Sequence, residues 1–545
     1  MKTIFKDKSG KPIYVLGLQS HNSSNGCWEL IDKSISAVKQ YHGNTLEIPV
    51  YWHQFEPEEG NFDYSVLDEL IRRTRANGLY LVILWFGFSK NAGSTYLPDW
   101  AKEDTTRFWY ASGPDKCLVP IISPHCDEIY DADAKAFAAL MKRIREVDES
   151  DRTVIAVQVE NEIGLYFIDR DYSSRAQADF EKGVPAQLDG VTLEGSDADG
   201  KSGSWYGQFG RHAHEAFTAW HLAVGVEKIA AAGKAEYADM PLFMNTMQGE
   251  IRQELAGQSY SSGAPVGRVL DIYRAAAPTI ELYAPDIYRM HKTAFIRACE
   301  TYSRPDNIFF IPETGTRGDA FALNLIHAAV EYKAIGICGF GAESTLGPDG
   351  LLTDESKKVA ATMRILKDMS PVLLKHAGTD KMFCASQEEF QDLCYFKREQ
   401  YHITLIYVDT GIPDWGVKGT PAPSGPFGRS LPISTQAAKD PASFIQRGRA
   451  VIFEASPYEY YMAGVGVSTR FLKRTEPNDS CPWLTNASRA ATEVAALTIE
   501  EGHFTEDGEW ICDFKRRGDE LNPGVLLYPG TVLRVKLNQN IDCAQ

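Results

Sequence analysis

Short apolar runs alternate with amphipathic segments along the first 370 residues. The runs are Ile13–Leu18, Thr45–Tyr51, Tyr80–Phe86, Val154–Val159, Leu242–Thr246, Leu282–Ile287, Ile308–Ile311 and Ile335–Phe340. They are rich in β-branched residues and lack polar alternation, as expected of parallel strands buried on both faces. Between them the apolar period lengthens. Phe137, Leu140, Met141 and Ile144 fall at i, i+3, i+4 and i+7, which makes a one-faced helical stripe. Val66, Leu67, Leu70 and Ile71 do the same, with Asp63 as an N-cap and Gly78 as a stop. Eight strands with helical crossovers predict a (β/α)8 barrel over residues 1–370. The fourth unit is long: residues 183–204 are rich in Gly, Asp and Ser and predict an exposed loop, followed by a helix over Gly207–Lys234.

Near Ser370–Pro371 the helical period fades. Strand patterns follow at Tyr401–Val408, Ala450–Glu454, Ala495–Ile499, Trp510–Phe514 and Val525–Tyr528. In TVLRVKLN, Leu533, Val535 and Leu537 alternate with Arg534 and Lys536, a half-buried strand. Residues 409–428 are rich in Pro and Gly without periodicity and predict a loop. Residues 371–545 are therefore expected to form an all-β accessory domain. GVGVS at 464–468 lacks a following helix and suggests no phosphate loop.

Composition narrows the partners. The 545 residues are 44% hydrophobic and 24% charged, which is globular and too long for one core. A net charge of −17 disfavours nucleic acid and anionic membranes and leaves room for a neutral ligand. No apolar run reaches membrane-spanning length. MKTIFKDKSGK has no apolar h-region or small-residue cleavage site, so no signal peptide is expected. The ten cysteines are scattered without a Cys-x-x-Cys pair, which predicts reduced, mostly buried thiols and a cytoplasmic protein. No zinc spacing is present, and the adjacent His125 and Cys126 are poorly placed to share an ion. No metal and no cofactor are expected.

Two acids stand out. VIAVQVENEIG at 154–164 is an apolar strand that ends in Glu160, Asn161 and Glu162. IFFIPETG at 308–315 delivers Glu313. Buried carboxylates are costly unless paired, and strand ends of a barrel converge on one pocket. A pair of carboxyls suits glycosidic-bond cleavage, where one protonates the leaving oxygen and the other attacks or activates water. Glu160 is read as a supporting partner. Trp52, Trp85, Tyr288 and Phe340 lie at or just beyond strand ends, where aromatic faces could stack on sugars. His21, Asn22, Lys90 and Asn91 are candidate contacts for sugar hydroxyls.

Several of these stretches resemble glycoside hydrolase family 35, the β-galactosidases of the retaining (β/α)8 clan. QVENEIG at 158–164 resembles its acid/base signature. GNTLEIPVYWHQFEPEEGNFDY at 43–64 looks like the second-strand segment shared by families 35 and 42. HNSS at 21–24, WFGFSKN at 85–91, APDIY at 284–288 and FIPETG at 310–315 look like the bacterial branch of family 35. That branch carries a C-terminal β domain of unassigned function, which MAGVGV at 462–467, EEGHF at 500–504 and GEWICDFKRRGDE at 508–520 resemble.

The resemblance implies Glu162 as acid/base, Glu313 as nucleophile, Asn161 on the substrate 2-hydroxyl and Tyr288 orienting Glu313. It implies a retaining exo-β-galactosidase acting on oligosaccharides or other β-glycosides. The β domain is expected either to pack on the barrel or to build a homo-oligomer contact. Gln19 and Ser20 stand where Glu-Leu often precedes HNSS, and Ser89 where Trp is common. These differences bear on the sugar rather than the reaction, so a β-glucosidase or β-glycosyltransferase is an alternative. A carbohydrate-binding protein without activity is another.

Overall fold

The structure is a computed structural model. It describes residues 3–198, 203–247, 255–389, 391–407, 424–425, 429–430, 446–474, 496–517, 521, 525–527 and 529–538. Seven parallel strands form one curled sheet in the spatial order Leu282–Asp286, Leu242–Met247, Val154–Asn161, Tyr80–Lys90, Thr45–Tyr51, Val15–Gln19 and Gly336–Phe340. Segment 308–314 closes the ring. It pairs by single parallel bridges, Ile287 with Thr314 and Ile311 with Ile337, rather than by a regular ladder. Beside it the Asn307 side chain acts as a piece of strand. Its Oδ1 accepts the Tyr283 N–H at 3.0 Å and its Nδ2 donates to the Tyr283 carbonyl at 2.9 Å. The seventh stave expected at Ile308–Ile311 is thus present in position but not as a hydrogen-bonded strand.

Helices follow each stave: Trp28–Gln40, Ser65–Ala76, Asp127–Asp148, Ala213–Glu236, Leu270–Ala276, Lys292–Tyr302, Gly318–Val330 and Asp354–His376. The chain is a (β/α)8 barrel with additional β sheets in its C-terminal region. Val15, Val82, Leu84, Phe86, Ala156, Phe243, Phe310 and Cys338 fill the barrel interior. Leu81, Ile83 and Trp85 point the other way and pack against the helices. This is the two-residue alternation of a strand. Asp63 caps the second helix from just outside, its Oδ1 accepting the Ser65 N–H at 2.8 Å.

The loop expected at 183–204 is partly packed. Leu188 and Leu193 are buried, and the Gln208 amide donates to the Leu188 and Val191 carbonyls. The helix predicted over Gly207–Lys234 is split into Trp205–Phe209 and Ala213–Glu236, with Gly210 at φ +52° between them.

Position 371 is not a helix end. Helix Asp354–His376 runs through Pro371, because Met369, Val372 and Leu373 are buried in the core that continues into the C-terminal sheets. The Lys367 carbonyl, which Pro371 cannot bond for want of an N–H, accepts the Ser370 hydroxyl at 2.8 Å.

Beyond it lie two antiparallel sheets. One has the order Met382–Ser386, Arg449–Ser456, Glu459–Val465, Val532–Leu537, Ala496–Phe504, Trp510–Lys515. The other has Leu393–Lys397, Tyr401–Tyr407, Val467–Lys473, Val525–Leu527. Ile403, Leu405, Ile452, Met462 and Val535 form the core between them. Val451, Phe453, Tyr461 and Ala463 face the other way and join the core of the barrel helices. Strands Arg449–Ser456 and Glu459–Val465 are therefore buried on both faces, whereas the edge strand Trp510–Lys515 is largely exposed. The loop expected at 409–428 lies outside the described residues, apart from 424–425. All eight described cysteines are free thiols, four of them buried. Among the described residues no helix is long and apolar enough to cross a membrane.

Candidate active site

Four staves deliver ionisable groups to one end of the barrel: Lys90, Glu162, Asp286 and Glu313, all buried. Carboxylate oxygens of Glu162, Asp286 and Glu313 lie within 4.8 Å of one another. Glu313 is held from both sides. Gln19 Nε2 donates to its Oε1 at 2.9 Å and the Tyr288 hydroxyl donates to its Oε2 at 2.8 Å. Burial and the Glu313 charge push the Tyr288 phenol far above its ordinary range, so it stays a donor.

Glu162 sits past the fourth strand in a left-handed backbone conformation, φ +44°, and Glu160 likewise at +59°. Such residues cost about 1–3 kcal/mol each and persist only where neighbours hold them. Here the Glu162 N–H donates to Asn245 Oδ1 at 2.9 Å, and the Glu162 carbonyl accepts the Ala92 N–H at 3.1 Å. Asn245 Nδ2 in turn donates to Asp286 Oδ2 at 2.8 Å. Burial, and then the Glu313 charge, lift Glu162 to about 7, opposed by Lys90. Asp286 is likewise raised well above its ordinary value, by burial and by the charges of Glu313 and Glu162.

Asn161 Oδ1 accepts the Lys90 ammonium at 2.8 Å, and Lys90 also bonds Asn91. The buried Asn161 Nδ2 has no hydrogen-bond partner among the described residues. Burial lowers the Lys90 pKa, opposed by the charges of Glu313, Glu162 and Asp286. Three clustered carboxyls could hold a hard cation, but the Lys90 ammonium already supplies positive charge to this cluster.

Tyr288, Phe340 and His21 form one wall. Phe340 meets the His21 and Tyr288 rings edge-on, at 5.2 and 6.5 Å between centroids. His21 Nε2 bonds the Ser344 hydroxyl at 2.5 Å. Asn22, Lys90, Asn91, Tyr96, Tyr166 and Phe167 line an adjoining cleft of about 390 Å³.

Two expected residues are elsewhere. Trp52 and Trp85 are wholly buried between sheet and helices. Trp52 Nε1 donates to Glu56 Oε2 and Trp85 Nε1 to Asp133 Oδ1, each at 2.7 Å. Neither reaches the barrel mouth. Their chain neighbours Tyr51 and Phe86 are the ones facing inward, because facing reverses with each residue along a strand. Glu160 also turns away from Glu313. Its Oε2 accepts the Ser89 N–H at 2.7 Å, and its carboxyl lies against that of Asp133.

Sequence reasoning did not single out Asp286 or Asn245, and it noted Gln19 only as a departure. Asp286 precedes Tyr288 by two positions on a strand end, and Asn245 is a lone amide in the apolar run LFMNTM. Both patterns were available as signals.

Residues 22–193 match the family model of glycoside hydrolase family 42, described as Beta-galactosidase, and residues 359–527 match one described as a Domain of unknown function (DUF5597). The resemblance to family 35 is thereby corrected to family 42. The motifs at 43–64 and 158–164 both fall inside the matched segment, and short strand-end motifs of one clan do not separate its families. No curated protein matches.

Among solved structures, the β-galactosidase from Rahnella sp. R3 aligns at 15% identity and TM-score 0.49, over 71% of this chain and 59% of that one. The β-galactosidase from Marinomonas ef1 aligns at 13% and 0.49, over 67% and 61%. The β-amylase catalytic domain from Paenibacillus polymyxa aligns at 12% and 0.47, over 65% and 98%. The chain thus spans about three-fifths of the length of these two β-galactosidases.

Proposed function

We propose that the protein is a retaining β-glycosidase, with Glu313 as nucleophile and Glu162 as acid/base. One observation carries this reading: Glu162 and Glu313 bring carboxylate oxygens within 4.8 Å of each other at the end of a closed barrel. Retaining enzymes hold their carboxyls about 5–5.5 Å apart, and inverting ones about 6.5–9.5 Å.

The environments fit the division of labour. Glu162, at about 7, still carries a proton to give near neutrality. Glu313 is aimed by two donors, Gln19 and Tyr288, that would stay with it as it attacks the anomeric carbon. Departure of the first product leaves a glycosyl ester on Glu313. Glu162, now ionised, takes a proton from water, which cleaves the ester and restores the starting anomer. The Asn161 amide nitrogen is free to reach a sugar hydroxyl beside Lys90.

Terminal β-galactosides are the first substrates to test, given the family model matched by residues 22–193. A catalytic barrel followed by an accessory β domain belongs to the same proposal, with the boundary expected at 370/371 moved off that position because helix Asp354–His376 runs through it, and with no catalytic residue in the β domain.

The test is a panel of aryl β- and α-glycosides, with product anomers read by NMR in the first minutes. Turnover of a β-glycoside, fastest for galactose, with a β-configured first product is expected. A first product of α configuration would overturn the mechanism. Turnover of no sugar would favour a binding protein.

A further inference from the structure

His125, singled out in the sequence only as the neighbour of Cys126, meets two distant residues on the outside of the barrel. His125 Nδ1 lies 2.8 Å from Asp179 Oδ2. The His125 and His221 rings approach to 4.1 Å between centroids. One donor atom from each of His125, Asp179 and His221 falls within 4.8 Å of the other two. The three come from three elements. His125 precedes helix Asp127–Asp148, Asp179 lies on helix Ser174–Glu181, and His221 lies on helix Ala213–Glu236. Cys126 does not take part; its thiol faces the Arg107 carbonyl.

We propose that His125, Asp179 and His221 form a divalent-metal site, with zinc as the ion the donor set suits. Two imidazoles and one carboxylate make a three-ligand zinc set that leaves a fourth position for water. His221 is half-buried against Phe217, and no hydrogen bond ties its ring to a described residue.

The surroundings hold the donors in place. The His125 N–H donates to Ser123 Oγ, which donates to Asp171 Oδ2. Two cations also face Asp179. Lys182 Nζ is 2.6 Å from its Oδ1, and Arg175 Nε is 3.8 Å from its Oδ2. The Lys182 side chain is 72% exposed and can withdraw into water.

A second cluster, His327, Glu331 and Cys384, is less apt. There His327 Nε2 already bonds Ser386 and Nδ1 already meets Glu331, so the ring is satisfied without an ion. An ion at His125, Asp179 and His221 would pin helix Ser174–Glu181, part of the long excursion after the fourth strand, to two barrel helices. The assignment does not depend on the glycosidase reading.

The full-length protein, stripped with a chelator, should bind one equivalent of Zn²⁺ in a calorimetric titration and unfold several degrees higher. Loss of an outer-sphere partner alone weakens metal sites by roughly 10–100-fold. His221→Ala should therefore weaken binding by about 100-fold or more and abolish the thermal shift. It leaves the His125–Asp179 contact untouched. If His221→Ala does not fold, His221→Gln tests the same point.

Co²⁺ bound to the wild type should show visible d–d absorption without a thiolate charge-transfer band. Three results would overturn the site. One is no stoichiometric Zn²⁺ binding by the wild type. Another is unchanged binding in the His221 variants. The third is a thiolate band, which would place the ion at a cysteine instead.

Discussion

Two regions of the molecule bury ionisable groups to a similar depth and treat them in opposite ways. In the six-stranded sheet each buried charge is answered. Arg516 pairs with Glu501 at 2.7 Å, Arg398 pairs with Glu454, and the wholly buried Arg449 donates to Thr362 Oγ1 at 2.6 Å and to the Lys358 carbonyl at 2.7 Å. At the barrel mouth Glu162, Asp286 and Glu313 crowd around one ammonium, Lys90. Glu47 lies nearby, wholly buried against the Cys338 thiol, and burial raises its pKa. The first arrangement neutralises charge where nothing needs to react. The second keeps acids of one sign close together, which raises the proton affinity of Glu162 and Asp286. Folds violate local rules in this way at sites that act, and the rest of the chain must be stable enough to hold them.

The sharpest way to break the comparison is to remove the mouth acids one at a time. Glu313→Ala should lose turnover on every β-glycoside by about 10⁴-fold or more while folding normally. Glu162→Ala should still be glycosylated by a dinitrophenyl β-glycoside, whose leaving group needs little protonation, and then stall. Azide should release it as the β-glycosyl azide. An α-glycosyl azide from that variant would reverse the assigned roles.

The sheet region should respond in stability instead. Phe453 joins the core of the barrel helices and stacks on His376 at 4.5 Å. Phe453→Ala should cost about 3–5 kcal/mol in denaturant unfolding and leave kcat per folded molecule unchanged.

A smaller effect links the mouth to pH. Glu162 is held at about 7 in the folded state against an ordinary 4.5. Between those values the folded chain keeps a proton that the unfolded chain gives up, so this group's contribution to stability falls as pH rises from about 4.5 to 7. Above that range the buried charge costs about 3 kcal/mol, as an order of magnitude. Glu162→Gln should therefore be more stable than the wild type at pH 8, with the difference shrinking toward pH 5, as unfolding at the two pH values would reveal. Lys90 lowers the Glu162 pKa, so Lys90→Met should shift the alkaline limb of activity to higher pH.

The smallest effect tests the facing of the third strand. Trp85→Phe removes the donor to Asp133 and should cost about 1–2 kcal/mol without moving KM. A large rise in KM would mean that Trp85 does reach the substrate.

That strand also shows where the sequence was legible and where it was not. Glu162 and Glu313 could be found because an acid at the end of an apolar strand is conspicuous. The barrel could be found because its staves differ sharply in period from its helices. Trp85 and Phe86 could not be told apart, because both faces of a parallel stave are apolar and no polar alternation marks which faces the axis. Gln19 on Glu313, and Asn245 on Asp286, join residues hundreds and tens of positions apart, so spacing carries no trace of them. The helix through Pro371 was hidden for a related reason. Proline disfavours a helix locally, and the buried faces of Met369, Val372 and Leu373 outweigh it.

That helix has a consequence for how the chain can be divided. Asp354–His376 is the eighth helix of the barrel and at the same time a floor for the six-stranded sheet, and the region matching the family of unknown function begins inside it, at 359. A cut at 371 would sever one helix and strand two apolar surfaces in water. A recombination event joining this barrel to another partner would have to bring the helix and its sheet along. The accessory region is thus grafted in rather than tethered on, and the two halves are expected to be inherited, and to melt, together.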